Sequence, residues 1–192
     1  MALIKSRSRR QFLAMAAPLV AGVSMVIMSG TALAKDWRQV ALDRDRWLTL
    51  ERASTGERAT FLYYRYGHGF QAEGYRIACH LLRDVSSDAT TRINPKLIDL
   101  LYIIQTWLKA NNLPYHIIIQ SGYRTPEYNS TVSGAVKNSE HVHGNAADIR
   151  IDGVSVADLN RLALAIRVGG VGVYPTRGFI HVDVGRVRQW AG

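Results

Sequence analysis

Ser139-Glu140-His141-Val142-His143-Gly144-Asn145-Ala146-Ala147-Asp148 puts two imidazoles and two carboxylates into ten residues. Gly144 supplies a place for the chain to turn, and Ala146 opens an alternating run to Ile151 that reads as a strand. Side chains alternate faces along a strand. With Ala147, Ile149 and Ile151 given to a core, Asp148 and Arg150 share the opposite, open face. About forty residues on, Phe179-Ile180-His181-Val182-Asp183-Val184 alternates in the same way. Ile180, Val182 and Val184 take the core there, so His181 and Asp183 share the open face. Two such strands side by side, with His141 arriving from the preceding loop, bring His141, Asp148 and His181 together.

That donor set has a chemical use. Zn²⁺ accepts imidazole nitrogen and carboxylate oxygen, and a catalytic zinc held by three protein groups keeps a fourth position for water. Two neutral imidazoles and one carboxylate leave net positive charge, which acidifies bound water towards neutrality and polarises a carbonyl. The expected cofactor is one Zn²⁺ per chain. A general base must stand close by without being a ligand. Asp183, two residues from His181 on the same face, is favoured, with Glu140 as its competitor. His143 leaves a second pairing open, because His141 and His143 form a His-x-His pair. His68, His80 and His116 lack carboxylate company and read as structural or surface residues.

Outward from these strands, the chain alternates helical and extended patterns. Arg46–Arg52 and Ala59–Tyr66, separated by Ser54-Thr55-Gly56-Glu57, read as a hairpin. Gly74, Ile77, Ala78, Leu81, Leu82 and Val85 form one helical stripe, and Leu97, Leu100, Leu101, Ile104 and Leu108 another. Asn94-Pro95 caps the second of these helices. His116–Ser121 is a short, buried strand. Gly122–Glu140 is a long polar loop with room for one helical turn, and loops of that length usually serve function. Ser155 and Asp158 form a capping box before Leu159, Leu162, Ala163 and Ile166. Gly169-Gly170-Val171-Gly172 leads into a strand rather than a helix, so it reads as a turn and not as a phosphate loop. The expected fold is α+β: a single domain with a central antiparallel sheet, helices on one face and the zinc site on the other.

The 192 residues suffice for one domain with a real core. Residues 1–34 read as a leader. Arg9-Arg10 with Phe12-Leu13, an uncharged stretch and Ala32-Leu33-Ala34 have the order of a twin-arginine export signal. This predicts a domain over 35–192, exported folded to the periplasm, with no stable membrane insertion once the signal is cut. Without Lys5, Arg7, Arg9 and Arg10, the formal charge falls from +9 to about +5. That surplus suits an acidic polymer such as a cell wall. No Lys/Arg block with interleaved aromatics is present, which argues against a nucleic-acid partner. Cys79 is the only cysteine, so no internal disulfide can form, and its apolar neighbours mark it as a buried structural thiol.

Four motifs follow one another in order: Ser121-Gly122-Tyr123-Arg124-Thr125 with Asn129; Ser139-x-His141-x-x-Gly144-x-Ala146-x-Asp148; Gly169-Gly170-Val171-Gly172-x-Tyr174-Pro175; and Phe179-x-His181-x-Asp183. Together, over roughly Trp47 to Trp190, they resemble the M15-type zinc peptidases of bacterial cell walls, and most closely the MepK-like murein endopeptidases. The resemblance implies a hedgehog/DD-peptidase-like fold and zinc ligation by His141, Asp148 and His181, with His143 left out. It implies a monomeric enzyme acting on peptidoglycan peptide stems, and leans towards the L,D bond between two diaminopimelates over a D,D bond. It gives Arg124 a substrate role, as a clamp on a carboxylate or a stabiliser of the oxyanion; the alternative is an ion pair that braces the loop. Tyr123 and Ser121 are expected beside the substrate, with Ser121, Tyr123 and Ser139 orienting ligands by hydrogen bonds. Relatives often carry an acid or a His shortly before the last ligand, where Arg177-Gly178-Phe179 stand here, so the base is not carried over. A metal-stabilised wall-binding domain without catalysis is the competing reading.

Overall fold

The computed structural model describes residues 36–192. The leader expected over 1–34 lies outside the described residues. Among these, no helix is long and apolar enough to cross a membrane.

Eight strands form one sheet: β1 (Arg46–Arg52), β2 (Arg58–Arg65), β3 (Gly69–Phe70), β4 (Ile117–Ser121), β5 (Ala146–Arg150), β6 (Gly170–Tyr174), β7 (Phe179–Asp183) and β8 (Arg188–Ala191). Their order across the sheet is β3-β2-β1-β4-β5-β7-β6-β8. Among the described residues, five α-helices accompany them: α1 (Trp37–Leu42), α2 (Ala72–Leu81), α3 (Pro95–Ala110), α4 (Pro126–Thr131) and α5 (Val156–Ile166), with a 3-10 turn at Pro175–Arg177. The α+β expectation holds, but the sheet is mixed rather than wholly antiparallel. β1 runs parallel to β4, and β6 parallel to β8. The hairpin is seen as expected in β1 and β2. The short elements α1, β3 and β8 have no periodic pattern long enough to announce them.

The core follows the apolar stripes. Leu97, Leu100, Leu101, Ile104 and Leu108 of α3 are buried, as are Leu159, Leu162, Ala163 and Ile166 of α5. They share one core with Ala147, Ile149 and Ile151 and with Ile180 and Val182. The capping readings also hold: Asn94 accepts from the Lys96 amide, and Ser155 Oγ accepts from the Asp158 amide while donating to its carboxylate. α2 ends at Leu81, before the Val85 of its expected stripe. Cys79 is half-buried against the core rather than fully enclosed.

Two contacts tie helices to the β1–β2 hairpin. β4 pairs with β1 only from Leu50 onward, so earlier backbone groups on that edge lack a strand partner. Gln105 of α3 supplies one, accepting from the Thr49 amide at 2.9 Å and donating to the Trp47 carbonyl at 3.0 Å. Glu57, in the hairpin turn, accepts from Thr55, Arg83 and His80. Those hydrogen bonds hold its carboxyl down from the ordinary 4.5 to about 2.

Gln105→Leu should therefore destabilise the domain by about 1–3 kcal/mol for each orphaned backbone group, read as a lower urea midpoint. Glu57 is depressed in the folded state, so its contribution is complete above about pH 4.5 and is lost as pH falls towards 2. The stability difference between wild type and Glu57→Gln should shrink over that interval, as urea midpoints taken from pH 6 to pH 2 will show.

Candidate metal centre

The open face of the sheet carries the expected cluster. β5 and β7 pair antiparallel with Asp148 directly opposite His181. His141 reaches the same point from the loop before β5, in which Gly144 turns with φ +66°. His141, Asp148 and His181 are all buried, and each offers one ligand atom to a common point. His141 Nε2 lies 3.1 Å from His181 Nδ1 and 3.2 Å from Asp148 Oδ1, and His181 Nδ1 lies 3.0 Å from that same oxygen. A tetrahedral ion with bonds of ~2.0–2.1 Å sets its ligand atoms ~3.3 Å apart, close to this triangle.

The outer contacts explain why these three atoms face one another. His141 Nδ1–H donates to the Gly122 carbonyl at 2.7 Å, leaving the lone pair of Nε2 free. His181 uses the opposite tautomer, donating Nε2–H to Asp183 Oδ2 at 3.1 Å and freeing Nδ1. Asp148 Oδ2 accepts from Arg124 Nη2 at 2.6 Å, which leaves Oδ1 turned inward. Three lone-pair atoms in van der Waals range repel unless a cation or a proton lies between them. The donor set therefore fits a metal ion, and a metal ligand normally has its remaining polar atom tied down in this way.

The ionisation pattern agrees for His141 and Asp148. Burial pushes His141 down, towards the neutral form that ligates. Burial also opposes charge on His181, but hydrogen bonds to Asp148 and Asp183 outweigh it and move this imidazole up. Burial resists ionisation of Asp148 as well, yet both imidazoles hold its carboxyl well below the usual range. The same balance, with His181, Gly170, Arg188 and Gly185 as partners, holds Asp183 down.

The other expected residues fall into two groups. Arg124 lies in the cluster, but its Nε donates to Ser121 Oγ at 2.8 Å and its Nη2 to Asp148. It therefore forms an ion pair that braces Asp148, with Ser121 as its anchor. Tyr123 is half-buried against the core, with its amide on the Leu82 carbonyl. Ser139 Oγ accepts from the His141 amide at 3.3 Å. His143 turns away to Asn138, while His80 and His116 sit beside Glu57 and Glu51. Asp183, expected beside the ligated water, instead contacts Nε2 of His181, while the cluster meets Nδ1, so the imidazole ring stands between. Its oxygens accept from the Gly170 and Gly185 amides and from Arg188. Glu140 holds the Asn145 side-chain amide through Oε2.

The family described as Peptidoglycan L,D-endopeptidase MepK matches residues 40–190. The chain belongs to this family. A Haemophilus influenzae protein named "Probable peptidoglycan L,D-endopeptidase MepK" is 36% identical over 157 residues, covering 80% of this chain and 83% of the relative. The Escherichia coli K12 peptidoglycan L,D-endopeptidase MepK is 35% identical over 151 residues, covering 77% and 81%. No solved structure gives a significant match. The family is one of M15-type metallopeptidases, which accords with a His-Asp-His cluster on the sheet face.

Sequence reasoning missed Asp84. Its Oδ2 accepts from the amide and hydroxyl of Thr125 at 2.7 and 2.9 Å, and its Oδ1 from Ser86. With the Tyr123 amide on Leu82, this docks the loop that carries Arg124 and the Gly122 carbonyl. No local pattern marks it, because its loop partner Thr125 lies about forty residues away. Asp84→Ala should cost about 1–3 kcal/mol per stranded donor in a urea titration. It should also raise amide exchange across residues 122–125, as hydrogen-exchange mass spectrometry can measure.

Proposed function

We propose that this chain is a zinc-dependent murein endopeptidase that hydrolyses the L,D cross-link between two diaminopimelates of peptidoglycan. The observation carrying this reading is the inward-facing triangle of His141, Asp148 and His181 within a chain of the MepK family. The L,D preference comes from the names of the relatives. Zinc is favoured by two imidazoles with one carboxylate and by edges near those of a small tetrahedral ion. A zinc ion held there would supply Lewis acidity for the scissile carbonyl and would lower the pKa of its bound water towards neutrality.

The side chains divide the remaining work. His141, Asp148 and His181 hold the ion. Arg124 keeps Asp148 ionised and turned inward, and it lines the substrate approach together with Tyr123 and Ser121. Asp183 holds His181 in its Nε2–H tautomer. A buried carboxylate so fully hydrogen-bonded is a poor proton acceptor, so the acid–base role passes to Glu140, the other carboxylate of the sequence argument. The leader at Arg9-Arg10 supports export by the twin-arginine route, and the mature protein works as a periplasmic monomer.

Defined 3-3 and 4-3 cross-linked muropeptide dimers, incubated with the purified protein and zinc, test this directly. The 3-3 dimer should be cut in preference to the 4-3 dimer. Chelation or His181→Ala should abolish cleavage, and zinc should restore the chelated wild type. Sacculus binding without product release would establish the binding-domain reading instead. Glu140→Gln should lower kcat by about 10²–10⁴-fold with zinc affinity retained, whereas Asp183→Asn should weaken zinc itself.

A further inference from the structure

The Gly169–Gly172 run and the strand β8 enter the site so far described only as partners of Asp183. They meet each other. β8 pairs with β6 so that Arg188 lies opposite Gly170 and Trp190 opposite Gly172. A Cβ on Gly170 would stand 2.6 Å from Asp183 Oδ2 and would run into the Arg188 guanidinium. A Cβ on Gly172 would stand 2.5 Å from Cε2 of the Trp190 indole. The two glycines are thus the floor across which Arg188 and Trp190 reach β7.

Both side chains end on His181 or its partner. Arg188 grips Asp183 with two nitrogens, Nη2 on Oδ2 at 2.6 Å and Nη1 on Oδ1 at 3.1 Å. The same guanidinium lies 5.0 Å over the Trp190 ring. That ring is 5.1 Å from the His181 imidazole, and its Nε1–H donates to Tyr174 Oη at 2.9 Å. Asp183 is fully buried, so its orientation depends wholly on these partners. We propose that Arg188 is a positioning residue for the metal centre, fixing the His181 ring through Asp183 on one side and Trp190 on another. The proposal rests on the reading of His141, Asp148 and His181 as metal ligands.

The physics is that of an outer partner to a metal-bound imidazole. Asp183 can present Oδ2 to His181 Nε2–H only while its own plane is fixed, and a planar fork on both oxygens fixes it. Lysine supplies the charge without the fork, so it is an incomplete substitute. Without Arg188 the carboxylate can rotate, and His181 then loses the contact that keeps Nδ1 free. Trp190 would also lose the cation on its face and press less firmly on the imidazole.

The test is zinc affinity in the full-length protein, measured by competition with a chromophoric chelator, alongside the tautomer of His181 read from long-range ¹H–¹⁵N spectra of zinc-free protein at pH 9. Arg188→Gln and Gly170→Ala should each weaken zinc binding by about 10–100-fold, with Arg188→Lys weakened less than Arg188→Gln. His181 should be a single Nε2–H tautomer in the wild type and a mixture in Arg188→Gln. Should Arg188→Gln fail to fold, Gly170→Ala and Arg188→Lys carry the same readout. Folded variants with unchanged zinc affinity and an unmixed tautomer overturn the proposal, as does loss of the fold in all three. A wild type that takes up no zinc overturns the metal reading and this inference with it.

Discussion

Asp148 is an ionised carboxylate buried in the middle of a sheet, and the surrounding structure compensates it. Removing such a charge from water costs several kcal/mol unless close, hydrogen-bonded partners replace the solvent. Arg124 takes one oxygen, and two imidazoles converge on the other. Arg124 can do so only because Ser121 fixes its Nε and because Asp84 and Leu82 anchor the loop from Gly122 to Thr125. That loop in turn lends His141 its Gly122 carbonyl. A demand that begins at one side chain thus dictates the docking of a loop on the end of α2.

The same logic repeats on the other side of His181. Asp183 is paired with Arg188 as Asp148 is paired with Arg124. Each carboxylate therefore brings its own guanidinium, and the ring of charges around the two imidazoles is close to neutral without a metal. A divalent ion held there would keep most of its charge, because the one carboxylate that meets it is already shared with an arginine. A site whose purpose were tight structural binding would be better served by an unshared carboxylate. This arrangement favours an electrophilic centre.

Much of this is legible in the sequence, for a definite reason. Strand alternation is a local rule, and it puts Asp148 and His181 on one face without knowledge of the topology; the register that sets them opposite each other obeys it. The helix stripes of α3 and α5 are equally local. What escapes is either short or remote. β8 spans four residues, too few for a pattern, and its two working side chains are intelligible only through Gly170 and Gly172 of a neighbouring strand. The parallel pairing of β1 with β4, which helps to make the sheet mixed, joins segments far apart in the chain. Asp183 shows a finer limit: alternation gives its face correctly, but which edge of the His181 ring it meets depends on side-chain torsions.

The two imidazoles offer different nitrogens, and this follows from where each is mounted. His181 springs from a strand on the floor of the site, so the nitrogen nearer its backbone, Nδ1, already lies level with Asp148 Oδ1. His141 comes from a loop, and must reach with the more distant Nε2 while Nδ1 is spent on Gly122. One half of the centre thus has the rigidity of paired strands, and the other that of a docked loop. Loops move more readily than sheets, so loosening should begin at His141, and the hydrogen bonds of Asp84 to Thr125 oppose it. Their cost in buried polar groups makes sense if the loop must be in place before any ion or substrate arrives, since an unfixed third ligand would have to be ordered at the expense of binding.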